Sequence, residues 1–501
     1  MGIDKLKDKL KECGITFVWK GEVGYDDSRE ICNSRFDYKP TVVAFCKNEK
    51  NISDCIKLSK EFKIGFRVRS GGHQHEGMCS ANDVMMINLS EMNHWEYVSG
   101  TNNMKAWIQP GKPLGELYKE LEADQRIIPG GGCSSVCVGG LTQGGGWGPS
   151  LRKLGLTCDN IEEARLIDAN GETKILNKDS CPDLFWAIRG GGGGNFGIIT
   201  NFLFKLTKIE EKLNLISCNF TKIEMPEAVR AYIKMLPGLS DDITSFGRLR
   251  VVNTDEDKNA FFVWAQSYGT MEALRDAFRP LCDLSSSGCE ENMLTVTHHE
   301  AHQLFNGVIP DSLKKNPNIK AEQFLYQPAT NESNDDINTC GSEPHPHKVT
   351  SGFPKSTTDY AALFKIIVDR FQKETEISDQ AMTYLSIHSM GGVLKEKLVD
   401  TAFPFRSKEF MFQFQAWWHN PKDIKQDEYI EWIESFRDDI SDYIEGAFIN
   451  FPDKLLVKDP DEQRVELLQY YYMHNLDRLR EVKSKYDPDN VFSFGMSIPP
   501  E

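Results

Sequence analysis

The sequence predicts an α+β protein of at least two domains, on three observations. Nine glycines fall within the nineteen positions from Gly130 to Gly148, interleaved with Val136, Val138, Leu141 and Trp147. Glycine serves where backbone takes positive φ or approaches a ligand closely, and a flexible linker would be polar and Gly/Ser-rich. The stretch therefore reads as main chain wrapped against something large and flat. Strand-like and helix-like runs alternate through residues 1–207, as in a small α/β lobe. Past residue 207 the glycine-rich loops give way to long amphipathic helices and alternating strands, which sets off a second domain over 208–440. A chain of 501 residues exceeds one ordinary core, which agrees with the division.

The elements follow in order. Residues 1–40 hold an amphipathic helix and a charged connector. Thr41–Cys46 is a short apolar strand, Ile52–Phe62 has helical spacing, and Gly65 ends that helix before a strand beginning at Phe66. Val84–Leu89 and Met104–Gln109 are further strands, with Pro113–Leu121 a helix after a Gly-Lys-Pro turn. Ile161–Ile167 and Thr173–Leu176 form a hairpin whose Asn170-Gly171 suits a tight turn. Asp183–Ile188 starts a helix that runs into five consecutive glycines. In the second domain Phe261–Ala265 is a strand and Tyr360–Phe371 a helix. Gln327–Gly352, rich in Asn, Ser, Asp and Pro, reads as a loop. Asp461–Tyr486 reads as one final helix.

Composition bounds the function. The net charge of −16 argues against nucleic-acid or anionic-membrane partners, and no stretch approaches the roughly 20 apolar residues that span a bilayer. The N-terminus lacks the continuous apolar core of a signal peptide. Thirteen cysteines without framework spacing suit mostly free thiols and a cytoplasmic location, with secretion the alternative if a leader was removed. Within these bounds the chain is expected to work as a monomer.

Three blocks then carry a resemblance: Phe66-Arg-Val-Arg-Ser-Gly-Gly-His73, the glycine cluster with Cys133, and Trp186-Ala-Ile-Arg followed by five glycines, Asn195, Phe196 and Gly197. Together they resemble the FAD domain of the vanillyl-alcohol oxidase/p-cresol methylhydroxylase superfamily. The likeness is strongest to its berberine bridge enzyme-like branch, which includes oligosaccharide oxidases. Lys485–Phe492 and Ser497–Pro500 are similar to that family's ending, which implies that 441–501 returns to the FAD-binding domain of 1–207. Residues 208–440 would then be a substrate domain built on an antiparallel sheet backed by helices.

The resemblance implies a bicovalent FAD, bonded through His73 to the flavin 8α-methyl and through Cys133 to C6. Around it would stand Arg69, Ser70, Gly71, Gly72 and Gln74 from the first block, and Gly132, Val138, Gly139, Gly140, Gly144, Gly145, Gly148 and Asn160 from the second. Gly194, Gly197 and Ile199 come from the third block and Asn490 from the tail. Thr401–Arg406 and the strand after it resemble a block whose Gln or Glu faces the flavin. Period-2 alternation puts Gln413 and Gln415 on one face, and the interval to Trp418 favours Gln413 as catalytic. Asn450, with Asp453, matches a second catalytic segment in which sugar oxidases use a tyrosine as base. Here both tyrosines are replaced, by Phe448 and Phe451, and Leu141 stands where relatives mostly carry a histidine.

The implied activity is an FAD-dependent oxidase that takes hydride from a CH–OH of a sugar or secondary-metabolite alcohol onto flavin N5 and passes the electrons to oxygen, giving peroxide. A dehydrogenase with another acceptor and a non-catalytic flavin-binding protein are the alternatives. His298-His299-Glu300-Ala301-His302 is not HExxH and reads as a polar helix face, so no metal is expected. His345 and His347 read as surface residues of the polar loop.

Overall fold

The computed structural model describes residues 2–257, 260–286, 288–289, 292–315, 319–325, 344–396 and 399–501. It is a mixed α/β fold of antiparallel sheets and helices, with one small mixed sheet at the N-terminal end. That sheet has four strands in the order Thr16–Trp19, Val42–Phe45, Met85–Asn88, Phe66–Arg69; the first pair is antiparallel and the other two are parallel. The Glu49–Phe62 helix covers it, burying Ile52, Cys55 and Ile56, and Asn48 caps the helix by accepting from the backbone N–H of Asn51. The parallel order explains why Val42, Val43 and Ala44 are all fully buried, since a parallel sheet is covered on both faces.

A five-stranded antiparallel sheet follows, in the order Trp95–Tyr97, Lys105–Ile108, Ile198–Lys205, Ile161–Ile167, Thr173–Asn177. Its hairpin closes as read, with Ile167 opposite Thr173.

The second region is an eight-stranded antiparallel sheet drawn from residues 213–445. Its order is Met293–Val296, Leu213–Phe220, Phe261–Ser267, Ile243–Arg250, Ala381–Ser389, Phe410–Trp418, His347–Pro354, Ile444–Glu445. Side chains alternate between its faces. One face carries Leu249, Leu385, Ile387, Phe410, Phe412 and Phe414, packed into a core with Phe364, Phe371, Trp432 and Phe436 of the Tyr360–Lys373 and Gln426–Asp439 helices. Those helices show the apolar stripe that such burial requires. The other face is turned to the glycine-rich region.

Three readings of the sequence change. The polar stretch ending at Gly352 is not loop throughout: its described part includes the buried strand His347–Pro354, while residues 327–343 lie outside the described residues. That strand reads as polar because His347 and Lys348 are buried against polar partners, His75, Glu76 and Asp453. The final helix is two, Arg464–Tyr472 and Leu476–Tyr486, broken at Met473, which takes φ 49°. His298 and His302 lie not on a polar outer face but buried, ring to ring with Tyr268 and Tyr118.

Of the cysteines, nine among the described residues are free, while Cys218 is joined to Cys289. No helix among the described residues is long and apolar enough to cross a membrane.

Candidate active site between a glycine wall and a sheet face

A cavity of about 320 Å³ separates the glycine-rich region from the free face of the eight-stranded sheet. One wall is largely main chain. Ten glycines line it: Gly71 and Gly72 after the Phe66–Arg69 strand, Gly131, Gly132, Gly139 and Gly140, and Gly192, Gly193, Gly194 and Gly197. A Cβ built on Gly140 would meet nothing within 4 Å, so it would project into open space. Bare backbone on this scale suits a broad planar group lying against it, and the residues present therefore fit a flavin.

Ser70, His73, Gln74, Cys133 and Ile199 also line the cavity. The His73 imidazole has its Nε2 3.0 Å from Ser135 Oγ. Burial drives its pKa down to about 4, so the ring is neutral near pH 7 and can act as a nucleophile. Cys133 stands in the same wall but is joined in a disulfide, so a thioether there requires the bond to be opened first.

Several residues assigned to the cofactor do not reach the cavity. Arg69 turns away to the carbonyls of Ser28 and Glu30. Val138 is fully buried in the core beneath the wall. Gly144 and Gly148 serve close packing: a Cβ on either would overlap, at 1.7 Å, Asn450 Oδ1 and the Gly130 carbonyl respectively. Gly145 faces Phe403 and Phe448. Asn160 spends its amide on the carbonyls of Leu154 and Leu156. Asn490, at φ 50°, shapes the tail by donating its backbone N–H to the Asp487 carbonyl.

The opposite wall is side chain. Cross-strand register places Gln413 opposite Ser386 and Ser351, Gln415 opposite Tyr384 and Val349, and Trp417 opposite His347. On the next strand Arg248 is opposite Ser386, and Phe246 is opposite His388. All these residues share one face. Gln413, Gln415, Trp417, His388 and Arg248 line the cavity, joined by Trp147, Phe305, Leu141, Asn450 and Phe451. The expectation that Gln413 and Gln415 share a face therefore agrees with the register.

The polar groups of this wall are tied together. Gln415 Oε1 accepts from the Tyr384 hydroxyl at 2.9 Å and from Trp417 Nε1 at 3.0 Å. The His388 Nε2 lies 2.8 Å from Gln413 Oε1. Burial holds the His388 pKa down at about 3, with the nearby Arg248 charge adding to the effect and Gln413 opposing it. Asn450 donates to the Leu141 carbonyl at 3.0 Å. Phe448 and Phe451 line the cavity as hydrocarbon, and neither can exchange a proton.

Next to the site, a buried ionic cluster ties three segments together. Lys348 donates to Glu76 at 2.8 Å and to Asp453, and Arg35 approaches Glu76 at 3.5 Å. Burial works against the Lys348 charge, but Asp453 and Glu76 outweigh it and raise its pKa. Burial also opposes the Asp453 carboxylate, and Lys348 overrides it to lower that pKa. Beside this cluster His75 Nδ1 meets His347 Nε2 at 2.9 Å, and the His347 ring stacks on Trp417 at 3.9 Å between centroids. His347 is thus an interior residue.

Sequence reasoning missed His388, Arg248 and Trp417, all of which line the cavity. A signal existed for His388: in Met382-Thr-Tyr-Leu-Ser-Ile-His388, Tyr384, Ser386 and His388 alternate with Leu385 and Ile387.

Comparison with known proteins places these observations. A family model described as an FAD binding domain matches residues 40–177, and one described as berberine and berberine like matches 447–499. An uncharacterized FAD-linked oxidoreductase of Bacillus subtilis (YgaK) is 28% identical, over 98% of each chain. Reticuline oxidase of Eschscholzia californica is 26% identical over 92% of this chain and 84% of that one. Among solved structures, Physcomitrella patens BBE-like 1 superposes with a TM-score of 0.83 at 22% identity, and a chitooligosaccharide oxidase with 0.80 at 22%, each covering 99% of both chains. At those identities the solved structures establish the fold.

Proposed function

We propose, for a chain that is a berberine bridge enzyme-like, FAD-dependent oxidoreductase, that it oxidises the CH–OH group of a small-molecule alcohol, with its FAD bonded covalently through His73. The observation that carries this reading is one cavity with His73 and ten glycines on one wall and Gln413, Gln415 and His388 on the other. Bound there, FAD supplies the two-electron hydride acceptor, and oxygen is the final acceptor, giving hydrogen peroxide.

This chain's residues do the rest. The Ser135 contact takes up Nε2 of His73, so attachment falls to Nδ1. Cys133 adds a second bond when its sulfur is free. Trp147, Phe305, Trp417 and Phe451 exclude water and offer flat apolar surface, which suits the ring of a sugar or of a secondary-metabolite alcohol. Gln413 and Gln415 orient the substrate by hydrogen bonding; amides cannot take its proton near neutral pH. The nine free cysteines among the described residues suit a reducing, cytoplasmic setting, while the Cys218–Cys289 and Cys133 disulfides suit an oxidising one; the enzyme works as a monomer.

Two measurements test the reading. Acid-precipitated protein retains yellow flavin in the pellet, and His73→Ala with Cys133→Ala releases it to the supernatant. Peroxide release is followed with chitobiose, cellobiose, benzyl alcohol and reticuline. Free flavin from the unaltered protein sinks the attachment. A silent panel sinks alcohol oxidation by this site.

A further inference from the structure

Two histidines beside the cavity form a chain whose proton positions are fixed from one end. His347 is buried at the start of the His347–Pro354 strand, and its Nδ1 lies 2.8 Å from the His345 carbonyl. Its Nε2 lies 2.9 Å from Nδ1 of His75. His75 is half-buried and lines the cavity. Its Nε2 makes no hydrogen bond among the described residues and, unlike Nδ1 of His388, is not sealed in the interior. The fully buried Asn33 clamps the pair. Its amide donates to the His75 carbonyl at 2.6 Å and to the His347 carbonyl at 3.0 Å, and its Oδ1 accepts the His347 backbone N–H at 3.1 Å.

We infer that His75 is the proton acceptor of the oxidation: its Nε2 lone pair takes the substrate hydroxyl proton, and His347 is the positioning residue that fixes where that lone pair stands. The assignment rests on the alcohol-oxidising reading above. A carbonyl oxygen accepts and does not donate, so His347 carries its proton on Nδ1 and presents a lone pair at Nε2. Burial holds both rings neutral near pH 7: it drives the His75 pKa down to about 3, with His73 adding to the effect, and that of His347 well below the ordinary value. His75 Nδ1 must then donate to His347, and the one lone pair left on its ring is at Nε2.

The other candidates along the cavity fail on their own geometry. No carboxylate lines it among the described residues. His388 has Nε2 against Gln413 and Nδ1 closed off by its packing. His73 is taken up by Ser135 and the flavin. Burial pushes the Cys79 and Cys137 thiols up to about 11 and about 12, and raises the pKa of Tyr472, whose hydroxyl donates to the Gly191 carbonyl.

The step balances. The substrate C–H bond breaks with both electrons leaving as hydride to the bound FAD, the O–H proton passes to Nε2, and a C=O bond forms. The alcohol loses two electrons and the flavin gains them. His75 is a weak base, and a weak base suffices: as hydride departs, the hydroxyl becomes that of a protonated carbonyl, an acid far stronger than any imidazolium. The new charge on His75 is met by the Nδ1–H bond to His347, since hydrogen bonds from charged donors are the stronger ones. No phenolate is needed, which accounts for a working site with Phe448 and Phe451.

The test uses FAD-loaded protein labelled with 15N-histidine, with His75→Gln identifying the resonances. The expected spectrum shows a pyrrole-type Nδ1 and a pyridine-type Nε2 for His75. His347→Phe, which removes the acceptor and keeps a ring against Trp417, should disturb that pattern. A protonated Nε2 in the unaltered protein, or a His347→Phe spectrum without change at His75, overturns the assignment. His75→Gln is then reduced anaerobically with the most active alcohol of the panel. The rate per bound flavin should fall roughly 10²- to 10⁴-fold, the usual contribution of a general base. A rate equal to that of the unaltered protein overturns the role of His75 and leaves alcohol oxidation standing. His75→Asn repeats the measurement should the glutamine variant fail to fold. If no panel alcohol reduces the flavin of the unaltered protein, the functional reading falls and the base assignment falls with it.

Discussion

The two walls of the cavity are built on different principles. The glycine wall offers bare backbone, so its shape is set by φ and ψ and by how closely strands and turns approach one another. The sheet wall offers side chains, so its chemistry is set by residue identity at alternate positions of three strands. The first suits a constant partner, a cofactor that does not change from turnover to turnover. The second suits a variable one, because single substitutions retune it without moving the backbone.

The strongest way to break the comparison is to cut the clamp between the walls. Lys348→Met strands the Glu76 and Asp453 carboxylates in the interior, which should cost about 3–5 kcal/mol, read in denaturant unfolding. The cluster also has a pH signature. The folded-state pKa of Asp453 is lowered, so its contribution is complete above the ordinary carboxylate value near 4 and fades as pH falls through the lower folded value. The folded-state pKa of Lys348 is raised, so its share is complete below its ordinary value near 10.5 and fades as pH climbs through the raised one. Unfolding free energy across an acid and an alkaline series checks both signs; a flat acid limb would contradict the first.

Next comes the glycine wall. Gly140→Leu places a side chain in open cavity and should weaken flavin loading by overpacking, about 1–3 kcal/mol. Flavin absorbance per mole of protein measures it. On the sheet wall Gln413→Ala should leave loading intact and slow flavin reduction by a similar amount, about 1–3 kcal/mol or roughly 5- to 150-fold, in stopped flow. If Gln413→Ala depletes flavin instead, the division of labour between the walls is wrong. The smallest effect is expected at Phe451→Tyr: turnover changes by no more than about 0.5 kcal/mol, the scale of substitutions outside special features. A large gain with chitobiose would mark the protein as a sugar oxidase impaired by its phenylalanine.

The same contrast explains what the sequence disclosed. Glycine leaves a trace in composition, so the Gly130–Gly148 cluster and the Arg69–His73 block announced the main-chain wall. Yet Gly144 and Gly148 have the same letter and a different task, close packing, because composition does not distinguish backbone facing a ligand from backbone facing backbone. The sheet wall was half legible. Gln413 and Gln415 emerged from alternation, but His388 lies on a separate strand whose register with Phe410–Trp418 only the fold supplies. His347 was misplaced because its strand buries polar residues against polar partners, His75 and Glu76 among them, and so loses the apolar signature by which strands are found. The break at Met473 has no local signal such as proline or glycine, and we have no physical account of it.

The two-faced sheet has one more consequence, for how such a protein can diversify. On the Phe410–Trp418 strand Gln413, Gln415 and Trp417 meet the cavity, while the residues of even number meet the Phe412 and Phe414 core. Losing or gaining one residue within that strand would exchange the two sets, putting glutamines into the phenylalanine core and phenylalanines into the cavity. Insertions and deletions are therefore closed to this wall as routes of change. New substrate preferences must accumulate by point replacement at alternate positions, while length variation is confined to the connections between strands.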